Sequence, residues 1–548
     1  MSSDKHPSPV SVRLVYVLAL LTSFSNMSYE LVLAQTLSVL TDETVLWESL
    51  TIGLFLAATG LGVFLFDRMK KTDLLAFFTN TEGILALLGL LALPLILTLH
   101  IIYRISIADY YPHSLLTKPL HWVMLACEMP TVLIGILSGF ELRTFFRFLT
   151  DQEQELEKRL GAFLLVVCHL GALLASLAFA LVLHTRQDSF FLVLLASAIN
   201  AGIFVLFRKR NLAPTLGFLI VYVWTAPLWS SLKELHLKNF YYNGISAHIE
   251  NGVFTQAGPV PLSHLLPWAA TQPAVQRSFS PYQTIDIVPN PDNTGEWKLF
   301  LDGHFQFSSE TERSYHETLA HVPIMMTGKV PSRVLLLGAG DGLLARELFK
   351  YKEQIARIDL VELDPDMISL GKSLPFRTLN ASSLLHPRMH VKIADAFTWL
   401  RQNTDRFDAI YIDFPYPYTF EGLRLYSQEF MSLLARRLQN TGFVMMDIPI
   451  FGAGEARWQA HVQRLLANAG FQEIWAMEAR FGEGFLFARK ESPPEFRFRE
   501  MGIALETLTA NWFTSEAKVL RLNAPLQAQV PINSVLKPRR LSIPDVWK

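Results

Sequence analysis

With 548 residues the chain is too long for one compact core, so two or more domains are expected. Hydrophobic residues make up 51% and charged residues 18%, with a formal net charge of −1. That balance gives no sign of nucleic-acid binding, and the charged share falls below the roughly 25% usual in soluble domains.

The apolar excess is concentrated in the first 235 or so residues. The first apolar run, from about Leu14, has no small-residue cleavage site after it and reads as a transmembrane helix, not a cleaved signal. Seven windows are long and apolar enough to span a bilayer: 14–34, 46–66, 74–103, 119–140, 160–184, 190–207 and 214–231. Three connections are basic, with Arg68, Lys70 and Lys71, then Arg143, Arg147, Lys158 and Arg159, then Arg208, Lys209 and Arg210. Lys5 and Arg13 join that side, while Arg104, Lys118 and Arg186 are sparse on the other. The positive-inside rule therefore sets the N-terminus in the cytoplasm, and seven spans then set the C-terminal half outside it. Glu30, Glu48, Glu82, Glu128, Glu141 and His169 fall within or at the ends of the spans. Such groups mark either a pocket or path for a cationic solute or hydrogen bonding between helices. Gly53, Ala57, Gly60 and Gly62 suit close helix packing. Cys127 and Cys168, the only cysteines, lie in apolar runs, so neither a disulfide framework nor a zinc site is expected.

Residues 233–280 mix polar and aromatic side chains with Pro259, Pro261, Pro267 and Pro273 and read as a connector. Alternating runs at 282–288, 297–303 and 304–308 then predict a small antiparallel unit. From Arg333 an apolar run enters Gly338-Ala339-Gly340-Asp341-Gly342 and leaves as an amphipathic helix. This is the opening strand–turn–helix of a Rossmann-like sheet, with Gly338 and Gly340 letting the backbone approach a ligand. A second strand, 358–362, ends on Glu362, 22 residues beyond Gly340 and placed to bind ribose hydroxyls. A third, 389–393, leads to Asp395, where an acid can meet an adenine amino group, and a fourth, 407–412, ends at Asp413. Ligands of such sheets bind at the carboxyl ends of the strands, where all four acids fall. Leu343 replaces the third glycine of the dinucleotide fingerprint. Leu336 stands where methyltransferases commonly carry an acid for the amino-acid end of their cofactor. Asp341 would repel a cofactor carboxylate and suits a cofactor without one, or a cationic amine.

On these residues the stretch from about Tyr282 to the end of the chain resembles the spermidine synthases (polyamine aminopropyltransferases). The likeness is carried by Leu301-Asp302-Gly303 with Gln306, Tyr315-His316-Glu317, the glycine turn, and Val361-Glu362-Leu363-Asp364. It continues through His386-Pro387-Arg388, Ala394-Asp395-Ala396, Asp413 with its loop, and Leu425-Tyr426-Ser427. The apolar half resembles the multi-span regions fused to such domains in membrane-bound bacterial members. The resemblance implies aminopropyl transfer from decarboxylated S-adenosylmethionine to a polyamine, a putrescine-like diamine, with release of methylthioadenosine and no metal. By position, Gln283, Glu362, Asp395 and Ala396 would hold the nucleoside. Tyr315, His316, Asp341 and Tyr416 would line the amine site, and Asp413 would be the catalytic acid–base. The family's loop carries a second acid three residues after the first; here that residue is Tyr416, followed by Pro417, and Phe420 replaces a further proline.

The expected fold is a multi-span α-helical membrane domain (1–235), a connector (236–280), a small antiparallel β-strand domain (281–322) and a Rossmann-like, class I methyltransferase-type aminopropyltransferase domain (323–548). The lipid bilayer, as the bacterial inner (plasma) membrane, is the expected partner and location. Because the co-substrate is made in the cytoplasm, the resemblance favours that side for the domain, against the span count. Two alternatives stand beside this: a non-catalytic nucleoside- or polyamine-binding domain regulating a transporter-like membrane half, and an S-adenosylmethionine-dependent methyltransferase. The sequence does not decide between a monomer and a homo-oligomer.

Overall fold

A computed structural model describes residues 10–41, 44–69, 73–106, 119–149, 154–184, 189–208, 212–243, 247–250, 253–256, 260–292, 294–415, 417, 420–448, 453–478, 484–491, 499, 501–508, 518–522 and 532–537. Tyr416 and the flanking charges Lys5, Lys70, Lys71, Lys118, Arg186, Lys209 and Arg210 lie outside the described residues. The chain divides into two compact units, Met1–Pro281 and Tyr282–Lys548.

The first unit holds α1 (Val12–Thr41), α2 (Thr44–Arg68), α3 (Leu74–Ser106), α4 (Pro119–Cys127), α5 (Met129–Leu149), α6 (Gln154–His184), α7 (Phe190–Phe207) and α8 (Leu212–Tyr242). Seven helices among the described residues are long and apolar enough to cross a membrane, and they coincide with the seven sequence windows. The fourth is divided at Glu128. Pro130 has no N–H for the carbonyl of Ala126, and its ring crowds that carbonyl, so α4 stops and α5 starts afresh. The close packing expected of the small residues in α2 occurs at Gly62, where a Cβ would lie 2.1 Å from Ile136 O of α5. Gly53 and Gly60 have nothing that near. Glu30, Glu82, Glu128 and Glu141 are all buried. Two find partners across helices, with Asn26 Nδ2 donating to Glu141 Oε2 at 2.7 Å and Thr51 Oγ1 to Glu128 Oε1 at 2.6 Å. His169 is exposed, its ring 2.6 Å from Leu165 O. After α8 come a hairpin of β1 (Ala247–Glu250) and β2 (Val253–Gln256), then α9 (Leu265–Thr271) and β3 (Gln276–Phe279).

The second unit opens with β4 (Thr284–Pro289), β5 (Trp297–Leu301) and β6 (His304–Ser308), an antiparallel meander. Asp302 and Gly303 turn β5 into β6 with φ of 50° and 82°, the two positive values of a tight hairpin turn whose twist suits the strands. Ile285, Trp297 and Phe307 pack on Leu343, Met367 and Phe376. Next follow α10 (Glu312–Thr327), β7 (Arg333–Gly338), α11 (Leu343–Phe349), β8 (Arg357–Glu362), α12 (Pro365–Gly371), α13 (Phe376–Leu379), β9 (Met389–Ile393), α14 (Ala396–Gln402) and β10 (Phe407–Asp413). The chain continues through α15 (Phe420–Leu423), α16 (Gln428–Arg437), β11 (Leu438–Asp447), α17 (Ala453–Asn468), β12 (Glu473–Glu478), β13 (Gly484–Arg489) and β14 (Lys518–Arg521).

These strands form one sheet in the order β14-β12-β13-β11-β10-β7-β8-β9. The five strands from β11 to β9 are parallel, and β13 runs antiparallel to both β11 and β12. Val334 and Leu336 face the core shared with α10 and α11, while Leu335 and Leu337 face α14, α16 and α17. A parallel strand covered on both faces reads as such an unbroken apolar run, each buried leucine contributing about 2 kcal/mol. The fold is Rossmann-like, of the methyltransferase type, with a small antiparallel sheet before it. Chain order reverses between β7 and β10, and in open α/β sheets ligands bind at the strand ends beside such a reversal. The strands expected at 358–362, 389–393 and 407–412 form within one residue of those limits. The strands from β11 onward were not foreseen.

Candidate active site

The glycine turn sits at that reversal. Gly338 is opposite Asp413 in the β7–β10 ladder, with φ of +81°, and a Cβ on it would lie 2.1 Å from Asp413 O. Only glycine allows the two strand ends to approach this closely. Glu362, at the end of β8, lays its carboxylate over the turn: a Cβ on Gly340 would meet Oε2 at 2.8 Å. Its Oε1 accepts from Asp364 N at 2.9 Å. Burial pushes the Glu362 carboxyl up to about 7 against that backbone bond. Gln283, the residue before β4, donates from Nε2 to Asp364 Oδ2 at 2.9 Å, just beyond the end of β8. Asp395 caps α14, with Oδ1 accepting from Thr398 N at 2.9 Å, and its Oδ2 pairs with Arg424 Nη2 at 2.7 Å. Both oxygens thus already serve local structure, although a carboxylate has about four acceptor positions. Ala396 is buried as the first residue of α14.

A second group of side chains lies on the α10 side. Tyr315 Oη donates to Asp413 Oδ1 at 2.7 Å. His316 Nδ1 is 2.8 Å from both Oε2 and the carbonyl oxygen of Glu312, one helical turn earlier. Arg346 grips Glu312 with both ends of its guanidinium, Nη1 to Oε1 at 2.7 Å and Nη2 to Oε2 at 2.9 Å. Asp341 turns back on its own loop, Oδ1 accepting from Leu343 N at 2.8 Å.

The charges in this group act on one another. Burial would lower His316, but the Glu312 hydrogen bond and the charges of Glu312, Asp341 and Asp413 raise it to about 9. His316 is therefore a cation at neutral pH. Burial raises Asp341 to about 6 and raises Asp413 as well, and in each case the His316 charge opposes the rise. Despite its burial, Glu312 is held down at about 2 by His316 and Arg346.

The structure brings Gly338, Gly340, Asp341, Glu362, Asp413, Tyr315 and His316 to one end of the sheet. Sequence reasoning missed Glu312 and Arg346. The spacing of Glu312 four residues before His316 on a helix was a usable signal; Arg346, next to Glu347, carried none. Among the described residues no group of three His, Cys, Asp or Glu side chains is arranged to hold a metal ion.

Residues 312–448 match the Spermine/spermidine synthase domain. Polyamine aminopropyltransferase 1 of Ralstonia nicotianae is 30% identical over 507 residues, covering 88% of this chain and 86% of that protein. A polyamine aminopropyltransferase of Leptospira interrogans is 30% identical over 509 residues, covering 88% and 90%. Among solved structures, a spermidine synthase in complex with the transition-state analogue AdoDATO is 26% identical over 43% of this chain and 81% of that one, with a TM-score of 0.38. Neither the regulatory nor the methyltransferase reading is favoured by the domain match and the two aminopropyltransferase relatives. A likeness that runs through both halves of full-length relatives, together with a buried acid cluster beside the glycine turn, places this chain in the polyamine aminopropyltransferase family.

Proposed function

We propose that the aminopropyl transfer of this enzyme takes place at the carboxyl ends of β7, β8 and β10. Decarboxylated S-adenosylmethionine is the co-substrate, and a polyamine, a putrescine-like diamine, is the acceptor. The observation that carries this is Asp413: a carboxyl at the point where the strand order reverses, fixed by Tyr315 and facing the charge of His316. The glycine turn, Glu362, Gln283, Asp395 and Ala396 form the nucleoside side, while Tyr315, His316 and Asp341 form the amine side. Tyr416, three residues after Asp413, is assigned to the amine side by sequence alone. The attacking amine is protonated at neutral pH. Tyr315 occupies Asp413 Oδ1, so the ammonium first gives one proton to the other oxygen, and the freed nitrogen lone pair then attacks the carbon beside the sulfonium. The carbon–sulfur bond breaks, its electrons neutralise the sulfonium, and methylthioadenosine leaves. Asp341 contributes negative charge for the amine and disfavours a co-substrate that carries its own carboxylate. The seven long helices serve as spans of a lipid bilayer, the bacterial inner membrane, with the transferase unit on the cytoplasmic side where the co-substrate arises, against the orientation that the basic connections give for seven spans.

Full-length protein in detergent, given decarboxylated S-adenosylmethionine and a panel of amines, is expected to release one methylthioadenosine per aminopropylated product. Methyl transfer from S-adenosylmethionine, with no turnover of the decarboxylated form, would sink the proposal.

The charge pattern also sets a pH dependence. Asp413 and Asp341 act as anions, and both are raised, Asp341 to about 6. The rate is therefore expected to climb between about pH 5 and 7, above the usual carboxylate range. His316→Gln removes the cation that opposes both rises. In that variant the acid limb of kcat/KM should move toward alkali by about one pH unit or more. An unmoved limb would take His316 out of this role.

A further inference from the structure

Asp447 is the last residue of β11. In the parallel β10–β11 ladder Ile412 stands opposite Met446, so the next residue on each strand sets Asp413 beside Asp447. Residues in register on adjacent strands project to the same face, with the strands about 4.8 Å apart. That face is the α10 side: Tyr411, two residues before Asp413, donates to Ala320 O of α10 at 3.0 Å, and Met445, two before Asp447, lies in the same core. On its other side Asp447 pairs with Phe485 of β13. The Tyr315 ring lies 5.2 Å from the Phe485 ring while its hydroxyl reaches Asp413. Tyr315 thus spans from the strand on one side of β11 to the strand on the other, across the end where Asp447 sits. The buried Tyr426 hydroxyl feels the charges of both Asp447 and Asp413.

A diamine at neutral pH carries two charges. One nitrogen gives up its proton to react, and the other remains an ammonium that needs an anion. The seven residues after Asp413, from Phe414 to Phe420, include no acid. We infer that Asp447 is a further anionic contact of the amine site, beyond Asp413 and Asp341: it holds the ammonium that does not react, and so sets the preference for diamines over monoamines. The inference rests on the assignment of Asp413 as the proton acceptor. The criterion that singled out Glu362 and Asp413, an acid at the carboxyl end of a parallel strand, applies to Asp447 as well once β11 is recognised as a strand.

The test compares a four-carbon diamine with the monoamine of equal length, using full-length wild type, Asp447→Asn and Asp447→Glu. Asp447→Asn is expected to raise KM for the diamine roughly tenfold to a hundredfold, the scale of a lost charge-assisted hydrogen bond. KM for the co-substrate should stay within about threefold, and the diamine and monoamine should become near-equal substrates. Asp447→Glu should keep the preference. An Asp447→Asn enzyme that still prefers the diamine as wild type does would overturn the inference. So would loss of methylthioadenosine binding in both variants, which would make Asp447 a structural residue. Turnover surviving in Asp413→Asn is a separate failure, that of the underlying assignment.

Discussion

Asp413→Asn is expected to lower kcat about 10²- to 10⁴-fold, the usual contribution of a positioned acid–base group, while methylthioadenosine binds as it does to wild type. The amide has nearly the shape of the carboxylate, and its oxygen can still accept from Tyr315 Oη, which lies 2.7 Å from Oδ1 in the native chain. The strand end stays in place because it is pinned by backbone, with Asp413 opposite Gly338. What is lost is an oxygen able to take the amine proton. Glu362 and the glycine turn are untouched, so titration calorimetry with methylthioadenosine should give an unchanged affinity. Product formation within tenfold of wild type would remove Asp413 from the chemistry.

Arg346→Met should have the largest effect on stability. Arg346 is 8% exposed, and its guanidinium serves Glu312 twice, Glu347 Oε1 at 2.8 Å and Leu379 O at 2.8 Å. Methionine fills much of the volume but leaves two buried carboxylates short of positive charge. Glu347 keeps His321 and Lys350, while Glu312 keeps only His316 among its charged partners in the described structure. Breaking a buried pair from one side costs about 3–5 kcal/mol. For a unit of this size each kcal/mol lowers the melting temperature by ~2–4 °C, so the transition should fall by about 6–20 °C. Calorimetry of the full-length chain identifies that transition as the one methylthioadenosine raises. Arg346→Lys should fall between, since an ammonium supplies charge without the two-pronged grip. A drop under about 2 °C in Arg346→Met would show that the pair contributes little.

Much of the site was legible because its geometry is local. The run from Arg333 into Gly338-Ala339-Gly340, the acid that ends β8 and the acid that ends β10 each belong to one strand–turn unit. Parallel strands place their carboxyl ends together whatever the helices between them do. Asp395 was equally legible as a position, yet its helix cap and its pairing with Arg424 come from contacts 3 and 29 residues away along the chain. The Glu312–Arg346 pair, 34 residues apart, was not readable, because nothing in either segment names the other. Asp447 escaped for a different reason: β11 carries Gln439, Asn440 and Thr441 before its apolar stretch, and that polar start hides the strand.

The sequence alone determined that seven long apolar helices precede a glycine-turn α/β unit, since hydropathy over about 20 residues and strand–turn–helix patterns are local properties. It also determined that Glu362 and Asp413 stand at strand ends. Only the tertiary structure decided what those acids are chemically. Their charge depends on burial and on neighbours from other segments: His316 becomes a lasting cation through Glu312, and in turn opposes the rise of Asp341 and Asp413. The tertiary structure also set Asp447 beside Asp413, because strand order and register are fixed by how the whole sheet packs and not by either strand's own residues.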